Sequence, residues 1–371
     1  MMALESSLQA PRGESATRGA YGSERLRTRR ETAMKRFAWA VVGPGAIARK
    51  FAETVGGLAH SRLHRVYGRD AARTDAFVAA CHDANGMPPR AARSLVEILE
   101  DPLIEGIYVA TPHAQHGEFV RRCLEAGKPV LCEKPLVPNL AQGMSLVELA
   151  SRRNVFLMEA LWTRFLPIYE TIATWLRNDA IGPVRAIRST FCFRAPFDPA
   201  GRHYDPALAG GAILDLGVYC LSMTHWVIQQ ATGSCPEPSS IHSIGTLADT
   251  GVDQRVSAML AFPGGLSSRF VCGLDGSARN SMTILGERGC IKLPSGFWGA
   301  TEARLHRRGE PALHEQAPFR INGFEYEIEE AQRCIRAGLV ESPRMTHADS
   351  LAALRWMDEI RRQVGVRYPF E

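Results

Sequence analysis

A six-residue apolar run, Phe37-Ala-Trp-Ala-Val-Val42, ends directly on the turn Gly43-Pro-Gly45-Ala-Ile-Ala48. Such a run closed by glycine reads as a buried parallel strand. Ile47, Phe51, Val55 and Leu58 follow at spacings of three or four, which puts one apolar stripe on a helix. A strand that feeds straight into a helix is the first half of a βαβ unit, and that junction constrains the fold more than any other feature of the chain.

The alternation continues downstream. His64–Tyr67 reads as strand, Ala71–Cys81 as helix, Ile104–Ala110 as strand and Gly117–Ala126 as helix. Gly127 caps that helix, Pro129–Cys132 is strand, Leu140–Ser151 is helix and Val155–Met158 is strand. Strand and helix at this pitch predict an α/β Rossmann domain with a doubly wound parallel sheet. From Val184 the texture changes, and strands follow strands at 184–194, 241–248, 253–262, 266–273 and 280–286. Pro263-Gly264-Gly265 turns one strand back on the next as an antiparallel hairpin. A helix around Leu214–Gln230 precedes most of this sheet, and Glu325–Ala337 and Ala348–Gln363 read as amphipathic helices. The second half is therefore expected to be α+β, on an open, mostly antiparallel sheet. The expected organisation is a disordered extension over 1–35, a dinucleotide-binding domain over 36–160 and an α+β domain over 161–371. The C-terminal helices are free to pack back on the first domain.

Composition narrows the function classes. A chain of 371 residues can bury a full core and suits two domains. The formal charge is +5, but residues 1–36 hold eight basic against four acidic side chains, which leaves +1 for the body. That gives no phosphate-backbone footprint, so nucleic acid is not expected as a partner. No apolar run approaches the roughly 18 residues of a membrane span. Nine cysteines without a C-x-x-C pair read as reduced thiols in a reducing, cytoplasmic compartment. The first 33 residues are rich in Arg, Ser and Gly and read as disordered, with Met34 as a natural start. Arg29-Arg30 is a weak match to an export signal, because Gly43, Pro44 and Gly45 interrupt the apolar stretch that follows.

Gly43, Gly45, Ala46 and Ile47 belong to a G-x-G-x-x-A turn placed between strand and helix. That context favours a pyrophosphate held by backbone N–H groups and the helix N-terminus over a plain tight turn. At the end of the second strand, Gly68-Arg69-Asp70 stands where an acidic residue would hold an NAD ribose. Gly68 leaves room there and Arg69 suits a 2′-phosphate, which favours NADP over NAD, while Asp70 pulls the other way. Thr111-Pro112-His113-Ala-Gln-His116 lies at the C-terminal end of a parallel strand, where such sheets bind ligands. Its H-x-x-H lacks a third ligand, so pocket lining is expected and a metal is not.

Thr111-Pro112, His116, Ala126–Leu131 and Glu133-Lys134-Pro135 resemble the glucose–fructose oxidoreductase/inositol dehydrogenase (Gfo/Idh/MocA) family. Met158–Pro167, with Trp162 and Arg164, and Gly210–Tyr219 are similar to the branch of dimeric dihydrodiol dehydrogenases and NADP-dependent D-xylose dehydrogenases. The likeness runs from about residue 36 to the end. It implies hydride transfer between a nicotinamide cofactor and a CH–OH group of a pentose-like sugar or vicinal diol. It also implies a homodimer through the second sheet, a cis bond before Pro135, and Glu133 and Lys134 at the cofactor. Keto-sugar reduction at the same site is an alternative, as is a catalytically silent NAD(P)-sensing regulator. Intact Lys134 and Tyr219 argue against the regulator.

Asp215, Tyr219 and Ser222 fall at i, i+4 and i+7, so they are expected on one face of an apolar helix. An ammonium beside Tyr219 would lower its phenol and make it a general base. Lys134, Tyr219 and Asp215 are thus the candidate catalytic group. Tyr219 and Ser222 replace the His and second acid of the wider family, which points away from inositol-type chemistry. Trp162 and Arg194 are taken as substrate-binding, and Phe193, His203 and Tyr204 are further lining candidates.

Overall fold

A computed structural model describes residues 36–81 and 88–371. The expectations for residues 1–33 lie outside the described residues. β1 (Phe37–Val42) leads into α1 (Ala46–Gly57), and β2 (Ser61–Tyr67) pairs parallel to it. α2 (Ala71–Ala79), β3 (Arg90–Ala92), α3 (Leu95–Leu99), β4 (Gly106–Val109), α4 (His113–Glu125), β5 (Val130–Glu133), α5 (Leu140–Arg153) and β6 (Leu157–Ala160) follow. The six strands lie parallel in the order β3-β2-β1-β4-β5-β6. The order reverses between β1 and β4, and that switch point opens the crevice in which such sheets hold ligands. β1 is buried along its whole length, as its uninterrupted apolar sequence requires. The short strand β3 has only three residues and no sequence signal of its own.

The second half begins with α6 (Pro167–Arg177) and the long strand β7 (Val184–Cys192). A π-helical turn, Ile213–Gly217, then runs into α7 (Val218–Thr232). β8 (Ser240–Leu247), β9 (Asp253–Ala261), β10 (Ser267–Gly273), β11 (Met282–Gly286), β12 (Gly289–Leu293), β13 (Glu302–Arg307) and β14 (Leu313–Gln316) complete the sheet. Their order is β14-β13-β12-β11-β7-β10-β9-β8, antiparallel throughout except for β7 against β10. The sequence reading stops at residue 286 and misses β12, β13 and β14. β12 buries only Ile291 and Leu293, and β13 only Ala303 and Leu305, so the alternation in each is short.

Pro206–Thr232 has the length and composition of a membrane span, with a mean hydropathy of 1.5 over its apolar window, which is 89% buried. The expectation that no such stretch exists is thereby corrected. Asp215, Ser222 and His225 interrupt the run in the sequence, while α7 packs as a core helix against the second sheet.

α8 (Glu325–Arg336) and α9 (His347–Val364) return to the first sheet. Gln332 donates to Ser61 Oγ at 2.7 Å, the Leu140 N–H to Asp358 at 2.9 Å, and Ser350 to Glu159 at 2.6 Å. Arg164, in the turn after β6, pairs with Asp349 at 3.0 Å, and His225 of α7 reaches the same carboxylate at 3.1 Å. At the chain's end Arg361 grips Glu371 at 2.8 Å, and the Tyr368 hydroxyl donates to the Gly210 carbonyl at 2.7 Å. The two sheets thus belong to one compact unit, Phe37–Glu371.

Candidate active site

A cavity of about 1280 Å³ runs from the end of β1 and β2 to the face of the second sheet. That volume exceeds what a small substrate alone requires. Its first end is the glycine turn. Gly43 sits at φ +99°, and a Cβ there would approach the Ala110 carbonyl to 2.7 Å, so only glycine lets β1 and β4 converge. A Cβ at Gly45 would meet nothing within 4 Å, which leaves open space over the first turn of α1. No side chain caps that helix, so its N–H groups face the cavity. Ala46 and Ile47 line the same wall, and the Thr111 hydroxyl is buried without a partner. These features fit a dinucleotide pyrophosphate and ribose.

Arg69 lines the cavity at the end of β2, as expected. Asp70 lines the cavity beside it, and its carboxylate accepts the Arg73 N–H at 3.0 Å and caps α2. Gly68 is required for packing rather than for ligand room, because a Cβ there would press on the Pro44 ring at 2.6 Å. Arg73, in the first turn of α2, lines the cavity as well.

Pro112 opens α4 and puts His113 and His116 in its first turn. The buried His116 ring lies between the Pro135 carbonyl at 2.9 Å and the Thr111 carbonyl at 2.8 Å. A neutral ring has one N–H, so it donates to one of these two loop carbonyls at a time. Burial pushes its pKa down against those carbonyls. His113 donates Nδ1–H to the Ala209 carbonyl at 3.0 Å, and burial pushes its pKa down to about 3, so the ring is neutral. Among the described residues no three His, Cys, Asp or Glu side chains are grouped to hold a metal.

The other end of the cavity carries the chemistry. Glu133 closes β5, and its carboxylate accepts from the Tyr108 hydroxyl and, at 3.1 Å, from the Lys134 N–H. The Lys134–Pro135 bond is cis. The Lys134 ammonium donates to Asp215 Oδ1 at 2.8 Å and to the Asp215 carbonyl at 2.6 Å. It also stands 5.0 Å from the centre of the Tyr219 ring. Burial alone would raise the Asp215 carboxyl, but Lys134 and Arg202 hold it well below the ordinary range. Tyr219 receives the Trp162 indole N–H at 3.3 Å. Lys134, Asp215 and Tyr219, 81 and 85 positions apart in sequence, therefore meet at one wall of the cavity.

Comparison with known proteins accords with this arrangement. An oxidoreductase family with an NAD-binding Rossmann fold, GFO/IDH/MocA, matches residues 37–161, and the C-terminal domain of the same family matches residues 169–292. A trans-1,2-dihydrobenzene-1,2-diol dehydrogenase of Sus scrofa is 35% identical over 344 residues, covering 89% of this chain and 98% of the relative. The chain belongs to the GFO/IDH/MocA oxidoreductase family. The family relative of the same name in Danio rerio is 39% identical over 285 residues, covering 76% of this chain and 83% of its own. Among solved family folds, an aldose-aldose oxidoreductase of Caulobacter crescentus superposes with a TM-score of 0.78 at 23% identity, covering 89% and 98% of the two chains. A 3-ketoreductase of Actinomadura kijaniata, in complex with NADP and TDP-benzene, gives 0.76 at 22% identity over the same shares.

Two sequence expectations about the site are corrected, the placement of Arg194 and the direction of the Tyr219 phenol. Arg194 does not reach the cavity; it lies with Tyr204 at a separate surface depression near Asp275. Two residues beyond the end of β7, the chain has left the sheet face that borders the site. Arg202 stands there instead, 3.3 Å from Asp215. His203 packs on Phe193 and lies 3.6 Å from Asp215. Ser222, on the same helix as Tyr219, is buried in the core with its hydroxyl unpartnered and does not line the cavity. The expected lowering of the Tyr219 phenol is also reversed. Burial first, then Glu133 and Asp215, push it well above its ordinary value, against the Trp162 hydrogen bond. Sequence reasoning missed Lys50, Phe191, Trp298 and Phe324, which line the cavity. Phe191 and Trp298 stack at 3.5 Å, a pairing between residues 107 positions apart that no local pattern reveals.

Proposed function

We propose that this chain is an NADP-preferring dehydrogenase acting on a CH–OH group of a pentose-like sugar or a vicinal diol. The observation that carries the reading is the convergence of Lys134, Asp215 and Tyr219 on one cavity wall beyond the glycine turn. When bound, the nicotinamide supplies the hydride acceptor or donor. Gly45, Thr111 and the N-terminus of α1 hold the dinucleotide, and Arg69 with Arg73 supports preference for a 2′-phosphate. The Lys134 ammonium hydrogen-bonds the reacting hydroxyl, with Asp215 fixing its direction. Tyr219 takes that hydroxyl's proton, or returns it in reverse. Phe191, Trp298 and Trp162 offer flat faces to the C–H surface of a sugar or cyclic diol.

One observation favours a second reading. A phenol held above its ordinary value is protonated at neutral pH, which suits a proton donor. Reduction of a keto sugar by the same residues is therefore the alternative direction. A panel of aldoses, polyols, cyclic diols and keto sugars, assayed by nicotinamide absorbance with both cofactors, separates the two. Turnover with none of them would sink both readings.

We further propose a cytoplasmic homodimer. Nine unpaired cysteines support a reducing compartment. The outer face of the second sheet supports pairing of subunits: on β8, Ile244 is 76% exposed.

A further inference from the structure

Lys50 projects from α1 into the wall between the two ends of the cavity. Its ammonium lies 3.9 Å from the centre of the Trp162 ring and 4.2 Å from that of Phe324. Trp162 points its indole N–H at the Tyr219 hydroxyl, 3.3 Å away. A cation on the face of an aromatic ring is attracted by the ring's electron density and draws that density toward itself. In an indole this leaves the N–H more positive and a stronger donor. A stronger donor to Tyr219 favours its ionised form.

We propose that Lys50 is a positioning residue that acts on Tyr219 through Trp162, polarising the indole N–H and so easing removal of the phenolic proton. The proposal rests on Tyr219 being the proton carrier. The site's other charges explain the need. Tyr219 faces Glu133, Asp215 and Glu327, all of which oppose a phenolate, and burial opposes it further. Lys134 stands over the Tyr219 ring, but its hydrogen bonds go to Asp215, which also has His113, His203 and Arg202 around it. The Trp162 N–H is thus the donor that meets the phenolic oxygen. Burial lowers the Lys50 pKa, and Glu327, Glu133 and Glu325 around it offset part of that lowering. Glu327 is fully buried with both carboxyl oxygens unpartnered.

The test uses the enzyme with NADP bound. Lys50→Met keeps an unbranched stem over the rings and removes the charge, and Lys50→Arg restores the charge. The Trp162 indole N–H resonance, assigned by its loss in Trp162→Phe, should move upfield in Lys50→Met and return in Lys50→Arg. The pH at which alcohol oxidation reaches half its maximal kcat should rise by about half a unit in Lys50→Met and recover in Lys50→Arg. In Trp162→Phe, adding Lys50→Met should shift that midpoint no further. An unmoved indole resonance, an unmoved midpoint, or a change confined to KM would overturn the proposal. Near-normal turnover in Tyr219→Phe is read separately: it removes Tyr219 as the base, whereas the indole resonance still reports whether Lys50 polarises Trp162.

Discussion

Tyr219→Phe keeps the ring against Phe191 and removes only the hydroxyl. A fall in kcat of about 10²-fold or more is expected, with melting temperature nearly unchanged. Lys134→Met should also abolish turnover, and the double variant should be little worse than the worse single one, because groups acting as a unit are non-additive. Additive losses in single-turnover kinetics would show that the two act separately. At the far end of the cavity, Arg69→Ala should raise KM for NADP about tenfold or more and leave KM for NAD nearly unchanged. Equal effects on both cofactors would remove Arg69 from phosphate recognition. The residues in these predictions were legible because each sits in a short motif whose spacing carries a reason: a glycine turn, Glu-Lys-Pro, Asp-x-Gly-x-Tyr. Lys50, Arg202 and Trp298 had no such motif. Their roles arise from neighbours 100 or more positions away, or, for Arg202, from a loop whose path the sequence does not reveal. The Tyr219 environment was misjudged for a related reason. The ammonium was foreseen, but not that its hydrogen bonds would go to Asp215, nor how completely the phenol is buried.

The elements around the site are tied by buried polar contacts rather than by apolar packing alone. Asp349 holds Arg164 and His225 and also completes the capping box of α9 with Thr346. Burial would raise its carboxyl, but His225 and Arg164 hold it low. Its stabilising contribution is therefore present above about pH 4 and is lost as pH falls toward its depressed folded value. Asp349→Ala strands a buried guanidinium and should cost about 3–5 kcal/mol in urea unfolding. A cost under about 1 kcal/mol would mean that Arg164 finds another partner. Asp253 behaves in the opposite sense. It accepts the Ile213 N–H at 2.6 Å at the start of the π-helical turn, and burial pushes its carboxyl up to about 7. Its contribution is full below about pH 4 and fades as pH rises toward 7. Asp253→Asn should flatten the dependence of melting temperature on pH across that window, and an unchanged slope would exclude Asp253 as its source. Most of the parallel sheet was readable because β1, β4 and β5 are short, mainly apolar runs beside a glycine or a proline. β12 to β14 were not, because β12 and β13 bury only two residues each and β14 none, too little for an alternation to show.

For the whole molecule, the broad outward face of the second sheet leads to an expected dimer in sedimentation at micromolar concentration, and a single monomeric species would refute it. The chain's last residues carry a different consequence. Tyr368 holds the carbonyl of Gly210, and Gly210-Gly211 leads directly into the turn that presents Asp215 and Tyr219. Trimming the tail with a carboxypeptidase would cut this tether while leaving the glycine turn, Arg69 and Arg73 intact. The nicked protein should still retain NADP on a filter yet lose turnover as Tyr368 is released, so that proteolysis at one end of the polypeptide silences a centre whose own side chains are all still present.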